Sequence, residues 1–442
     1  MELAQRISTK YKRIIDRADP VIVNGKVSDV IGLVIVSIGP NVSLGEICTI
    51  IDKEGNEVCK SEVVGFKEGK VLSIALGEVQ NISPACEIKA TGKSFTVNVG
   101  MELLGRVIDG LGNPIDGKGP LNCSTYTTIY NEPPNPLERK RIDSPLQTGV
   151  RAIDGLLTVG KGQRLGIFAG SGVGKSVTMG MIARNTDADV NVITLIGERG
   201  REVREFIEKD LGEEGLKKSV VIVATSDKSA LVRMKGAFIG TTIAEYFRSR
   251  GMDVVLMMDS VTRFAMAQRE IGLTVGEPPT TKGYTPSVFA ILPKLLERAG
   301  SIDKGSITGF YTVLVDGDDM TEPIADAVRS ILDGHVVLSR KLANKGQFPA
   351  VDPLQSVSRV MPDVVTQDHR KRAIAFNEVL ATYNEAEDLI NIGAYVKGSN
   401  PQIDHALSKI NLLRSFMKQD MTEKTLYQET ISRLSQIIEK PL

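Results

Sequence analysis

The sequence predicts a multidomain α/β chain: a small N-terminal β-barrel or sandwich, then a domain on a mostly parallel sheet, then a helical C-terminal domain. Three changes of pattern predict it. From Val21 to Val97, short β-branched runs such as Val30 to Val36, Glu46 to Ile51 and Lys70 to Leu76 are punctuated by Gly39, Gly45, Gly55, Gly65 and Gly69, the mark of short strands joined by glycine turns. From Leu165 onward, apolar runs at Val190 to Ile196, Val220 to Ala224, Val254 to Met258, Ile307 to Val315 and Val336 to Leu338 alternate with helical segments, as in a parallel sheet covered by helices. From about Asp363 glycine thins out, and Phe376, Val379, Tyr383, Ala386 and Ile390 fall on one helical stripe and Tyr427, Ile431, Leu434 and Ile438 on another.

These patterns divide the 442 residues into an amphipathic helix over 1–18, a barrel over 19–98, an α/β domain over 99–362 and a helical domain over 363–442, within the two to four domains the length allows. In the first segment Leu3, Ile7, Tyr11 and Ile14 keep helical spacing while Arg6, Lys10, Lys12, Arg13 and Arg17 supply charge. Such a basic helix serves either to dock on its own domain or to dock a partner or anionic lipid. The stretch Gly105 to Pro114, followed by Pro133-Pro134-Asn135-Pro136, is turn-rich and reads as a wrapped connection rather than a core element.

Lys plus Arg equals Asp plus Glu at 54 each, so no global field draws the chain to nucleic acid. Aromatics are also few at the N-terminus, with Tyr11, Phe66 and Phe95 up to residue 100, which argues against a stacking platform and so against a Rho-type ring helicase. Cys48, Cys59, Cys86 and Cys123 form no CxxC pair and read as buried thiols rather than a zinc site or disulfide framework. Neither a run of about 18 apolar residues nor a signal-peptide h-region is found. The expected location is the cytoplasm, with contact to a membrane open only from the inside.

Between the apolar run Leu165 to Phe168 and a helical segment from Val177 lies Ala169-Gly170-Ser171-Gly172-Val173-Gly174-Lys175-Ser176. A triphosphate is wrapped by several backbone N–H groups at once, which side chains at the glycines would block. Lys175 then brings a point charge to the β and γ phosphates and the Ser176 hydroxyl a magnesium ligand. Ala169 stands where the usual pattern has glycine, and removes no phosphate-facing N–H.

Two apolar strands deliver carboxylates to the same edge. Val254 to Met258 ends in Asp259, placed to bind magnesium through water; such an Asp can also be a plain turn or helix cap. Val192 to Ile196 leads to Glu198, a candidate to orient the attacking water, whose bland alternative is an ion pair with Arg201 three residues on.

The run Thr148 to Leu156, GERGREV at Gly197 to Val203, MMDSVTRFAMAQREIG at Met257 to Gly272, EPPTTKGYTPSVF at Glu277 to Phe289 and SVSRV at Ser356 to Val360 together resemble the family of rotary ATP synthase subunits and type III protein-export ATPases, over nearly the whole chain from about Asp19. The resemblance implies a RecA-like P-loop ATPase domain using ATP with Mg2+. Residues 169–177 would cradle the phosphates, with Lys175 and Ser176 on phosphate and magnesium, Glu198 as catalytic carboxylate and Asp259 as metal carboxylate. Arg199 and Arg263 would line the γ-phosphate region, Phe348 would stack on adenine, and Arg359 would reach into a neighbouring subunit's site. Without the family, Phe348 reads as ordinary core. Non-catalytic rotary subunits typically carry Gln at the position of Glu198, so the carboxylate favours hydrolysis.

The same resemblance implies a homohexamer, a stator-like regulator (FliH) on the N-terminal helix, a stalk protein (FliJ) in the pore, and export chaperones with cargo near the C-terminal domain. Asp388 to Tyr395 matches the segment that faces the central shaft in rotary relatives. Phe168 to Gly172 and Thr158 to Gly162 look more like the flagellar branch than like the virulence-type injectisome branch. A nucleotide-gated scaffold that delivers export cargo with dispensable hydrolysis is the reading from a different class.

Overall fold

The computed structural model describes Lys12 and residues 23–77, 81–315, 317 and 319–439. The expected helix over 1–18 therefore lies, apart from Lys12, outside the described residues. The chain forms two compact units, Met1–Phe95 and Thr96–Leu442.

In the first unit, strands β1 (Gly25–Ile31), β2 (Val34–Ile38), β3 (Glu46–Ile51), β4 (Glu57–Lys67), β5 (Lys70–Ala75) and β6 (Glu87–Ser94) close into a barrel in the order β1-β2-β5-β4-β3-β6. Its interior is filled by Val27, Ile35, Ile50, Val63, Val71 and Ile88 together with Cys48 and Cys86, and the pairing of Gly25 with Ile88 and of Lys26 with Glu87 closes β1 onto β6. The run Val30 to Val36 is not continuous: Gly32, at φ +60, turns the chain so that Ile31 pairs with Val34 in an antiparallel hairpin. Cys59 is only half-buried, whereas Cys48, Cys86 and Cys123 are buried, and all four are free thiols. Burial pushes the Cys48 and Cys59 thiols up to about 11.

The second unit opens with β7 (Thr96–Val99), paired with β9 (Thr125–Thr128), and with β8 (Val107–Asp109). A two-residue ladder joins β10 (Pro145–Leu146) to β11 (Val159–Gly160). The main sheet takes β12 (Arg164–Ala169), β13 (Val190–Ile196), β14 (Ser219–Ala224), β15 (Asp253–Asp259), β17 (Gly305–Leu314), β18 (Gly334–Leu338) and β19 (Val351–Ser358) in the order β19-β18-β12-β17-β15-β13-β14-β8, with β16 (Gly300–Ile302) beside β17. Only β19 and β16 run antiparallel. Strands β13 and β14 are buried at every position, as expected where helices cover both faces.

The wrapped-connection reading of Gly105 to Pro114 needs correction. Val107 and Ile108 are buried, and β8 pairs in parallel with β14 as the far edge of this sheet. The turn begins only afterwards, where the Asp109 N–H donates to Asn113 O and the Ile115 N–H to Val107 O.

Helices Gln367–Asn391, Pro401–Met417 and Tyr427–Glu439 form the C-terminal bundle. Phe376, Tyr383, Ala386 and Leu434 from the two expected stripes are buried, and Val379, Ile390 and Ile438 pack at the core's margin. The middle helix is started by Asn400, whose side chain accepts from the Gln402 and Ile403 N–H groups, followed by Pro401 in the first turn.

Candidate nucleotide-binding and catalytic site

Strand β12, flanked by β17 and β18, ends at Ala169, and helix Lys175–Asn185 starts six residues on. Ala169 and Val173 are buried and pin the loop's underside, while Ser171 and Gly172 face outward. Gly172 and Gly174 sit at φ +79 and +92, backbone that a side chain disfavours. The first N–H groups of the helix lack intrahelical acceptors and point out of its N-terminus, which suits an anion.

Three charged groups converge above this loop. The Lys175 Nζ lies 2.5 Å from Asp259 Oδ1 and 3.4 Å from Glu198 Oε1. Thr312 on β17 donates its hydroxyl to the same Asp259 oxygen at 2.7 Å, so the carboxylate's direction is fixed by a neighbouring strand. Both acids stand at the C-terminal ends of adjacent parallel strands, β13 and β15, where such sheets place ligands. Burial works against charge on Lys175, but the Asp259 and Glu198 carboxylates hold its ammonium above the ordinary value. Burial, and then the Asp259 charge, raise the Glu198 carboxyl to about 7 despite Lys175.

The alternative partner for Glu198 is otherwise engaged: Arg201 points to solvent and pairs with Glu205 at 3.1 Å. Arg199 is also turned outward, 82% exposed and 3.9 Å from Glu202, so in this structure it is not gathered with Lys175. Arg263 lies in the first turn of helix Val261–Thr274, which is capped by the Ser260 hydroxyl. A Cβ on Gly197 would fall 3.0 Å from the Arg263 Cβ, so the arginine stem runs against the backbone just before Glu198. Its Nε is buried without a hydrogen-bond partner, a donor suited to an incoming anionic oxygen.

Phe348 is 45% exposed rather than core. It borders a cavity of about 490 Å³ with Val177, Thr178 and Met181 of the loop helix on one side and Lys418 to Met421 on the other. That size and largely apolar wall suit a planar base. Lys418 to Met421 escape sequence reasoning, because they join the site through main-chain contacts across the fold: the Gln419 N–H donates to Phe348 O at 2.9 Å.

Arg359 follows β19, which runs back toward the opposite end of the sheet. Its N–H donates to Asp333 O, and the Asp333 N–H donates to Arg164 O at the start of β12. The length of β12 therefore separates it from its own phosphate loop, roughly 16 Å at the rise of a parallel strand. Its side chain is exposed, with Nη1 3.4 Å from Leu332 O.

For a metal, the available donors are the Ser176 hydroxyl and the Asp259 carboxylate. This all-oxygen set suits a hard divalent cation such as Mg2+ rather than a softer ion. Among the described residues no cluster of three His, Cys, Asp or Glu side chains forms another metal site, and no helix is long and apolar enough to cross a membrane.

Comparison with known proteins agrees with this geometry. Residues 149–358 match the nucleotide-binding domain of the ATP synthase alpha/beta family, residues 27–92 its beta-barrel domain, and residues 365–436 the type III secretion EscN ATPase C-terminal domain. A flagellum-specific ATP synthase of Bacillus subtilis (strain 168) is 60% identical over 93% of this chain and 94% of its own length. A type 3 secretion system ATPase of Xanthomonas euvesicatoria is 52% identical, with 93% of each chain covered. Among solved structures, the assembled ATPase EscN from the enteropathogenic E. coli type III secretion system superposes with a TM-score of 0.89 at 46% identity, over 94% of this chain and all of that one. With a β-barrel, a P-loop domain in which Lys175 at the start of the loop helix meets Glu198 and Asp259 at two strand ends, and a helical C-terminal domain in that order, the chain belongs to the ATP synthase alpha/beta family, within its branch of flagellum-specific and type III secretion ATPases.

Proposed function

We propose that this chain is the ATPase of a flagellar type III protein export apparatus, hydrolysing ATP as a ring of identical subunits to support chaperone release and export of flagellar proteins. The observation that carries hydrolysis is Lys175 held between Glu198 and Asp259 above the loop. The flagellar assignment rests on the 60% identity to the Bacillus subtilis relative. The injectisome reading shares the same mechanism and is favoured by the 52% identity to the Xanthomonas ATPase.

In this reading residues 169–177 wrap the phosphates, Lys175 neutralises β and γ oxygens, and Arg263 Nε donates to the anion. Glu198, poised near neutrality, accepts a hydrogen bond from water and aims its oxygen at the γ phosphorus, in line with the bridging oxygen that leaves on ADP. Ser176 and Asp259 would hold a magnesium ion, which when bound neutralises charge on the bridging and γ oxygens. Phe348 packs on adenine. Arg199 would have to turn inward to contribute. Arg359, a sheet's length from its own site, would serve the next subunit, so that each chain both receives and supplies a finger.

Oligomerisation is supported by the likeness to EscN in its assembled form, and a stalk partner in the pore (FliJ in the flagellar system) by the likeness to EscN in complex with its central stalk EscO. A stator-like partner (FliH) at residues 1–18 and work at the cytoplasmic face of the inner membrane belong to the same proposal. Phosphate release with Mg·ATP, followed against protein concentration, tests it. Turnover per chain should rise with concentration and vanish in Lys175→Ala; ATP binding without turnover at any concentration would leave only the nucleotide-gated scaffold.

A further inference from the structure

The half of the base cavity that belongs to the C-terminal region is held by a set of hydrogen bonds that the catalytic machinery does not use. Arg151 is buried at the start of helix Arg151–Leu156. Its Nε donates to Phe416 O at 3.0 Å, its Nη2 to Lys418 O at 2.5 Å, and its Nη1 to Thr425 Oγ1 at 3.2 Å and to the Glu423 carboxylate. Arg151 thus spends its donors on one loop, residues 416–425, satisfying two carbonyls left open where helix Pro401–Met417 ends.

Gln419 completes the link. Its Oε1 accepts from the Arg151 N–H at 2.9 Å and its Nε2 donates to Gly149 O at 2.8 Å and Glu423 O at 3.1 Å, while its own N–H holds Phe348 O at 2.9 Å. One residue therefore ties the segment carrying Phe348 to the 149–151 turn. Arg184, at the end of the phosphate-loop helix, donates to Met421 O at 2.5 Å and fixes the far side of the same wall. None of these groups lies in the Lys175, Glu198 and Asp259 cluster.

We infer that Arg151 and Gln419 are positioning residues that set the width of the base cavity, and so decide how much affinity the nucleoside half of ATP adds to that of the triphosphate half. The inference rests on the site being an ATP site. Gln419→Glu keeps the shape but sets a carboxylate oxygen against the carbonyls of Gly149 and Glu423, so acceptor faces acceptor and the wall loosens. Arg151→Lys keeps the charge but cannot span Phe416, Lys418 and Thr425 at once.

The experiment measures equilibrium binding of ATP and of inorganic tripolyphosphate, each with magnesium, to the unaltered full-length chain and both variants, alongside steady-state hydrolysis and nucleotide-free thermal unfolding. For Gln419→Glu the expected result is ATP affinity lower by on the order of tenfold, the equivalent of about two neutral hydrogen bonds. Tripolyphosphate affinity should not change, KM should rise and kcat should hold. Lowering the pH to protonate the new carboxyl should restore ATP binding. If the Glu variant fails to fold, Arg151→Lys carries the test with the same expected split. Equal loss for both ligands, or no loss for either, overturns the inference. An unaltered chain that binds neither ligand refutes the ATP-site reading itself, a distinct outcome.

Discussion

Removing the guanidinium by Arg359→Ala tests the least local part of the reading. The amide of Arg359 is tied through Asp333 to Arg164 at the far end of β12, roughly 16 Å from Ala169, beyond the reach of one arginine side chain to its own Lys175. Arg359→Ala should therefore lower turnover about 10³-fold or more, some 4 kcal/mol of transition-state stabilisation, by acting on a neighbour. Glu198→Gln should be comparably inactive, because an amide cannot take the water's proton. Mixed in equal amounts and allowed to form rings at random, the two variants place an intact Glu198 beside an intact Arg359 at about one quarter of junctions. Steady-state phosphate release from the mixture should then approach roughly a quarter of the unaltered rate, hundreds of times above either parent. A mixture no faster than the mean of its parents, or an Arg359→Ala chain that keeps more than about a tenth of the activity, would refute the argument from sheet length.

The proposed role of Glu198 predicts a pH profile: burial raises its carboxyl to about 7, so its ionised form prevails above that value and is lost below it. kcat/KM should fall about tenfold per unit below neutrality and level off above, and Glu198→Gln should be flat; an unaltered rate that persists to pH about 5.5 removes Glu198 from the proton's path. Phe348→Ala should raise KM for ATP by a few-fold to about tenfold with kcat held, since the ring contributes about 0.5–1.5 kcal/mol of stacking; an unchanged KM would mean that the base binds elsewhere. Gly240→Ala should lower stability by about 1–3 kcal/mol in denaturant titration, because a Cβ there would sit 1.9 Å from Thr194 Cγ2. The gain of at most about 1 kcal/mol from helix propensity is too small to reverse the sign, and a stabilised variant would show that helix Ala230–Ser249 does not press on β13 as described.

The parts of the site carried by contiguous residues were legible in the sequence. The glycines around Val173 need positive φ wherever the loop occurs, and Asp259 and Glu198 follow apolar runs whose strand ends face the same way once the sheet is parallel. What could not be read depended on the far side of the fold. β8 was hidden because Asp109-Gly110 and Gly112-Asn113 are strong turn signals and the strand before them is only three residues long; pairing with β14 overrides them. Lys418 to Met421 carry no nucleotide motif at all and become a wall through Arg151, Arg184 and the contacts of Gln419 itself. The outward placement of Arg199 depends on how helix Gly200–Glu205 leaves the strand, and the inward course of Arg263 on the bare backbone of Gly197, neither of which spacing reveals.

The two walls of the base cavity are made at very different times. Thr178 and Met181 leave the ribosome well before Gln419, which closes onto Gly149 across 270 residues. A nascent chain released through about residue 400 already carries the phosphate loop, Glu198 and Asp259 together with Phe348, yet lacks the Lys418 to Met421 wall against which a base would be held. Synthesis itself thus imposes an order: the chain gains a hold on polyphosphate first and its full preference for nucleotide only once Gln419 is in place. Ribosome-bound fragments of increasing length should acquire the two properties in that sequence.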